Sequence, residues 1–188
     1  VQGHYSENYQ PLGTLTLSYM GEGAQVTSYQ RRLDISNATA CTEYKKDGVW
    51  MRTDYFASAP DSVLVVRLRS ESPQGIRAML TFTSQLPHAT SSQGNEITAE
   101  GYAAYHSYPV YFDQVKNKHL YDPERGIHFR TLIRVLTPDT AQVKCYPSGE
   151  LKVDGAKEAL ILIANVTSFN GFDKDPVKEG RDYRSLVA

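Results

Sequence analysis

A two-residue rhythm of side chains, interrupted at intervals by turn signals, is the feature that most narrows what this chain can become. Thr14-Leu15-Thr16-Leu17-Ser18-Tyr19 alternates polar and apolar residues, the period of a strand with one buried face. Strands are predicted in the same way over Ala40 to Lys46, Val49 to Ala57, Ser62 to Arg69, Ile76 to Ser84, Glu96 to Tyr102, Ile127 to Leu136, Ala141 to Tyr146, Glu150 to Val153 and Ala159 to Val166. Asp47-Gly48 is a pair that readily takes positive φ, so the two segments beside it read as a hairpin. In its second arm Val49, Met51, Thr53 and Tyr55 share one face, and Trp50, Arg52, Asp54 and Phe56 share the other. Ala59-Pro60-Asp61 and Ser72-Pro73-Gln74-Gly75 supply further turns. No helical period intervenes, so the fold class is all-β: an antiparallel β-sandwich.

Two stretches break the rhythm. Leu86 to Gly94 is polar and turn-rich and reads as an ordinary loop. Tyr102 to Gly126 is far longer than a usual connection, and long loops in compact domains tend to be functional or mobile. After Val166 the chain turns polar, with helix able to begin around Asp175 and Pro176 in its first turn. The division expected is a β-sandwich over 1–167 and a short helical or irregular exit segment over 168–188.

Charge excludes several functions. Twenty Lys and Arg oppose 21 Asp and Glu, a net charge of −1, which lacks the basic field that nucleic-acid binding requires. No apolar run approaches the ~18 residues of a membrane span. The amino end, Val1 to Tyr5, shows no basic-then-apolar signal peptide. Cys41 and Cys145 are too few for a disulfide scaffold; two unpaired buried thiols are favoured over one bridge. Glycine-rich phosphate loops, nucleophile elbows and His-Glu-x-x-His pairs are all missing, and no catalytic residue is assigned. His106 and His119 have no Cys or carboxylate at ligand spacing, so neither a metal nor a cofactor is expected. Asp and Glu fall mainly in turns and on polar strand faces, the pattern of solvated charge.

Aromatic residues are the more informative signal. Thirteen Tyr, six Phe and one Trp make up 11% of the chain. The densest patch lies in the long loop, where Tyr102, Tyr105, His106, Tyr108 and Tyr111 are the candidates for ligand or interdomain contact. Tyrosine joins a flat apolar face to a polar tip, which suits stacking on a sugar or packing against a protein surface.

Several segments also resemble, in order, the amino-terminal β-domain of the α-L-fucosidases of glycoside hydrolase family 95. Tyr9-Gln10-Pro11-Leu12-Gly13-Thr14-Leu15 is similar to that domain's strand entry, and Tyr29-Gln30-Arg31-Arg32-Leu33-Asp34 to a later strand. Asp47-Gly48-Val49 through Arg52, with Tyr55-Phe56-Ala57-Ser58-Ala59-Pro60-Asp61, resembles its hairpin. Arg125-Gly126-Ile127-His128-Phe129 and Thr167-Ser168-Phe169-Asn170-Gly171-Phe172 extend the match over nearly the whole chain.

The resemblance implies a super-sandwich domain joined by a linker to an (α/α)6 barrel that holds the catalytic acid. On this reading residues 168–188 lead into the linker, and the family's opening strands would precede Val1. The implied reaction of the intact enzyme is hydrolysis of terminal α-L-fucosyl or related residues, a carboxylic acid protonating the leaving oxygen. The implied partners are that barrel and, through it, a glycan, in a periplasmic or extracellular bacterial setting. A rival reading is a free-standing carbohydrate-binding module, with Trp50 and the Tyr102–Tyr111 loop forming a stacking platform. Missing sheet neighbours would leave an edge open to self-association.

Overall fold

The computed structural model describes residues 7–20, 25–138 and 141–187; Val1 to Tyr5, including His4, lie outside them. The described residues form strands β1 (Thr14–Tyr19), β2 (Val26–Asp34), β3 (Thr39–Lys46), β4 (Val49–Ser58), β5 (Val63–Ser70), β6 (Ile76–Thr83), β7 (His88–Gln93), β8 (Glu96–Tyr102), β9 (His106–Ser107), β10 (His119–Leu120), β11 (His128–Leu136), β12 (Gln142–Cys145), β13 (Leu151–Ala156) and β14 (Glu158–Thr167). Every pairing is antiparallel. An eight-stranded sheet runs β2-β3-β4-β5-β14-β11-β8-β7, a four-stranded sheet runs β1-β6-β13-β12, and β9 and β10 pair alone. The all-β sandwich is therefore present.

Its core lies between the two large sheets. Ile76, Ala78 and Leu80 of β6, with Leu151 and Val153 of β13, meet Leu68, Ile97, Ile133, Ala159 and Ile161 from the other layer. All of them alternate with residues on the opposite face, as a period of two requires. The Asp47-Gly48 turn forms as expected, with φ of 51° and 80° and Lys46 opposite Val49. Both values lie in the left-handed region that the favoured two-residue hairpin turn demands. Replacing Gly48 by Val is expected to lower the unfolding free energy by about 1 kcal/mol, since a β-branched residue resists that φ; urea denaturation measures it.

Three expectations are corrected. Leu86 to Gly94 is not a plain loop: it contains β7, a strand that pairs with β8 from His88↔Gly101 to Gln93↔Glu96. His-Ala-Thr-Ser-Ser-Gln carries little strand signal, but an edge strand needs one partner only, and its polarity discourages a second. Around Asp175 no helix forms. The Asp175 carboxylate accepts the amides of Val177 and Lys178 at 2.9 and 3.0 Å, and Glu179 N–H reaches the Asp175 carbonyl at 2.9 Å. The turn stops there because Arg181 N–H bonds back to Ser168 O at 3.0 Å, and a single turn does not offset helix nucleation. The exit segment is thus irregular. Third, both cysteines are free as expected, but only Cys41 is buried; Cys145 is exposed on β12, an edge strand. Cys41 lies in the eight-stranded sheet and Cys145 in the other.

Candidate interdomain face

Three segments converge at one end of the eight-stranded sheet, where β8 ends at Tyr102, β11 begins at His128 and β14 ends at Thr167. They are residues 7–13, the long loop after Tyr102, and the exit segment. The backbone sets their meeting point: Ser168 N–H bonds His128 O at 2.8 Å, and His128 N–H bonds Ser168 Oγ at 3.0 Å. Gly101 makes the junction tight, since a Cβ there would sit 2.2 Å from Pro87 O and 2.8 Å from the Phe129 ring.

Within the long loop, β9 and β10 make a two-residue ribbon, with Ser107 opposite His119 and His106 opposite Leu120. The amino-terminal segment is tied to it. Glu7 accepts from the Ser107 amide at 2.9 Å and lies 2.7 Å from His106 Nδ1, Asn8 donates to Tyr108 O at 2.7 Å, and Gln10 donates to Tyr121 Oη at 2.7 Å. His106 and His119 belong to different cross-strand pairs, so their side chains leave opposite faces of the ribbon. His119 is instead 2.5 Å from Ser107 Oγ. Among the described residues no group of His, Cys, Asp and Glu is arranged to hold a metal.

Of the five candidate residues, four are half-buried in the loop's own packing. Tyr102 lies 5.8 Å from the His128 ring, which lies 6.0 Å from Tyr183 of the exit segment. Tyr105 is covered by the Arg125 guanidinium at 3.7 Å, and His106 meets Tyr108 edge-on at 4.4 Å. Tyr111 touches Phe112 but is 69% exposed, beside Val110 at 75%. The open part of the loop is therefore its tip. Tyr9 and, in the exit segment, Phe169, Phe172 and Leu186 add exposed apolar surface on the same converging segments.

A second polar region went unread in the sequence. On the sheet face turned away from the core, carboxylates alternate with arginines across strands. Glu43 pairs with Arg32 and Arg52 at 2.9 Å each, and Asp54 with Arg52 at 2.8 Å and Arg69 at 2.5 Å. Arg67 pairs with Glu158 at 2.7 Å, and Arg134 with Glu96 at 2.5 Å. Burial alone would push the Asp54 carboxyl up, but hydrogen bonds from Arg52, Arg69 and Cys41 outweigh it and hold it below the ordinary carboxylate range. Burial and the neighbouring Asp54 push the Cys41 thiol up. These carboxylates are paired, not merely solvated. The strand pattern held the signal, since cross-strand neighbours at one register share a face.

Trp50 sits beside this network, 40% exposed, with Lys45 Nζ 5.1 Å from its ring centroid. It belongs to β4 and lies near the Glu158 end of β14, whereas Tyr102 lies near the Thr167 end. Four strand spacings and about twelve residues of register separate the two, roughly 19 Å across the sheet and 40 Å along it. Trp50 and the tyrosine loop therefore do not make one stacking platform.

Fold and end face together define a two-sheet β-domain whose loops and termini gather at one end. The comparisons narrow this further. Residues 1–171 match the family described as "Glycosyl hydrolase family 65, N-terminal domain", and the chain belongs to it. The chain is 28% identical over 177 residues, 91% of its length, to Alpha-L-fucosidase 2 of Arabidopsis thaliana, and covers 21% of that protein. It is likewise 28% identical over 172 residues, 88% of its length, to Probable alpha-fucosidase A of Aspergillus niger, and covers 19% of it. The resemblance to fucosidase amino-terminal domains therefore stands, and the chain spans about a fifth of the curated relatives it matches.

Proposed function

We propose that this chain is the non-catalytic amino-terminal β-sandwich, residues 1–167 with an exit segment over 168–188, of a glycoside hydrolase whose helical-barrel domain cleaves terminal α-L-fucosyl residues. The role of the sandwich is to buttress that barrel. One observation carries the reading: exposed apolar side chains stand on the tip of the long loop, Val110 and Tyr111, and on the exit segment that follows the last strand, Phe169, Phe172 and Leu186. Large apolar side chains left in water on converging segments favour an interaction site there. The fucosyl substrate rests on the printed activity of the two relatives. Bond cleavage itself belongs to the barrel, where a carboxylic acid protonates the leaving oxygen. The setting proposed is periplasmic or extracellular, following the fucosidase resemblance.

The test is a double change of Val110 and Tyr111 to Asp in the intact parent enzyme. Burying two carboxylates in an apolar contact is expected to lower kcat/KM at least about tenfold, equally for an aryl α-L-fucoside and for a long glycan, and to lower Tm. A rise in KM confined to the long glycan would instead make the loop a glycan contact. Unchanged kinetics and Tm would remove the docking role.

A further inference from the structure

At the end of the eight-stranded sheet away from Tyr102, the outer face carries two adjacent rows of side chains. Register places Glu43 of β3 opposite Arg52 of β4, Arg52 opposite Arg69 of β5, and Arg69 opposite Glu158 of β14. In the next row Lys45 stands opposite Trp50, and the Glu71 amide extends the ladder onto Trp50 O at 3.1 Å, which puts Glu71 across from the indole. Two residues along each strand separate the rows, about 7 Å. Glu43, Arg52, Arg69 and Glu158 of the first row and Trp50 and Glu71 of the second line a surface cavity of 560 Å³, with Lys157 beside them. That volume lies within the range of small-ligand sites.

The indole is a plate with one side open. Trp50 is 40% exposed, and among the described residues no hydrogen bond engages its N–H. Lys45 Nζ covers the ring at 5.1 Å but does not line the cavity, so the indole turns its other side to it. The polar row is held before any ligand arrives. Arg52 pairs with Glu43 at 2.9 Å, Arg69 with Asp54 at 2.5 Å and Arg67 with Glu158 at 2.7 Å, and none of Glu43, Arg52, Arg69 and Glu158 is more than 39% exposed. Side chains already ordered lose little entropy when they grip a ligand. Capacity remains, since a carboxylate accepts about four hydrogen bonds and a guanidinium donates about five. Charge then selects the ligand. Glu43, Glu71 and Glu158 line the cavity together with Arg52, Arg69 and Lys157, three of each sign, so neither an anion nor a cation gains net attraction. An apolar plate beside alternating donors and acceptors fits a ring that has a C–H face and a rim of hydroxyls, each able to donate and to accept.

We propose that this cavity binds a neutral pyranose unit of a glycan, its C–H face stacked on Trp50 and its hydroxyls held by Glu43, Arg52, Arg69 and Glu71. An acidic sugar gains nothing here, because Arg52 and Arg69 are already neutralised by Glu43 and Asp54. Trp50 acts without the tyrosine loop, which lies about 40 Å away along the sheet. The site is therefore separate from the interdomain face. It rests on its own side chains and not on which glycosidic bond the parent cleaves.

An array of fucose-free glycans, some neutral and some sialylated or sulfated, probed with the intact parent, tests the site. Leaving out fucose keeps the array from being consumed. Neutral glycans are expected to be retained in preference to acidic ones, and Trp50→Ala to weaken that retention at least about tenfold. Glu71→Gln, at an exposed position, is expected to weaken it about threefold with Tm unchanged, and it decides alone if Trp50→Ala lowers Tm. Turnover of an aryl α-L-fucoside is expected to be the same in both variants as in the parent, and it reports the proposed activity separately. The proposal is overturned by a parent that retains no neutral glycan, by a preference for acidic glycans, or by retention undiminished in Glu71→Gln.

Discussion

Replacing Phe129 by alanine lowers the free energy of unfolding by about 4 kcal/mol and Tm by roughly 10 °C, as measured by urea and thermal denaturation. Phe129 is the largest of the fully buried side chains, 2% exposed, on the core face of β11. It stands opposite Gly101 on one side and Thr167 on the other, where three strands hand over to the long loop and the exit segment. Its ring lies 2.8 Å from where a Cβ on Gly101 would stand, so the two residues fit only as this pair. The loss should also raise hydrogen exchange in the Tyr102–Gly126 loop, which hangs from this junction. A cost below 1 kcal/mol would mean that the end face is held by something other than this packing.

Asp54→Asn should cost about 3 kcal/mol at pH 7. The substitution leaves Arg69 without the carboxylate that accepts from it at 2.5 Å and takes from Arg52 one of its two carboxylate partners. The pH dependence follows from the lowered carboxyl. A group whose folded pKa lies below its unfolded value stabilises fully above the unfolded value, near 4, and loses that contribution as pH falls through the folded one. The difference between wild type and Asp54→Asn is therefore constant from pH 6 to 8 and shrinks below about pH 4. A difference that grew on acidification would reverse the assignment.

How much of this was legible depended on which physical signal each segment carried. Thr14–Tyr19 and Glu96–Tyr102 are legible to the residue because each alternates between a wetter and a drier face. β2 was marked as a strand only by its likeness to a fucosidase segment, since all of it is exposed and it has no apolar alternation. β7 was invisible for a related reason: its polar sequence is suited to an edge, and only β8 holds it. In the candidate face, the sequence located the aromatic loop but not its internal economy. Arg125 covering Tyr105, and Glu7 reaching across 99 residues to His106, are contacts between segments far apart in sequence, which local spacing does not encode. The ladder of arginines and carboxylates spans seven strands, whose register no local spacing encodes.

The sharpest trial is catalytic: this 188-residue chain and its intact parent, each given an aryl α-L-fucoside under the same conditions. Turnover by the parent, with none above background from the chain alone, is the predicted outcome. Release of fucose by the isolated chain would contradict the assignment of bond cleavage to another domain, and a parent inactive on every α-L-fucoside would contradict the substrate.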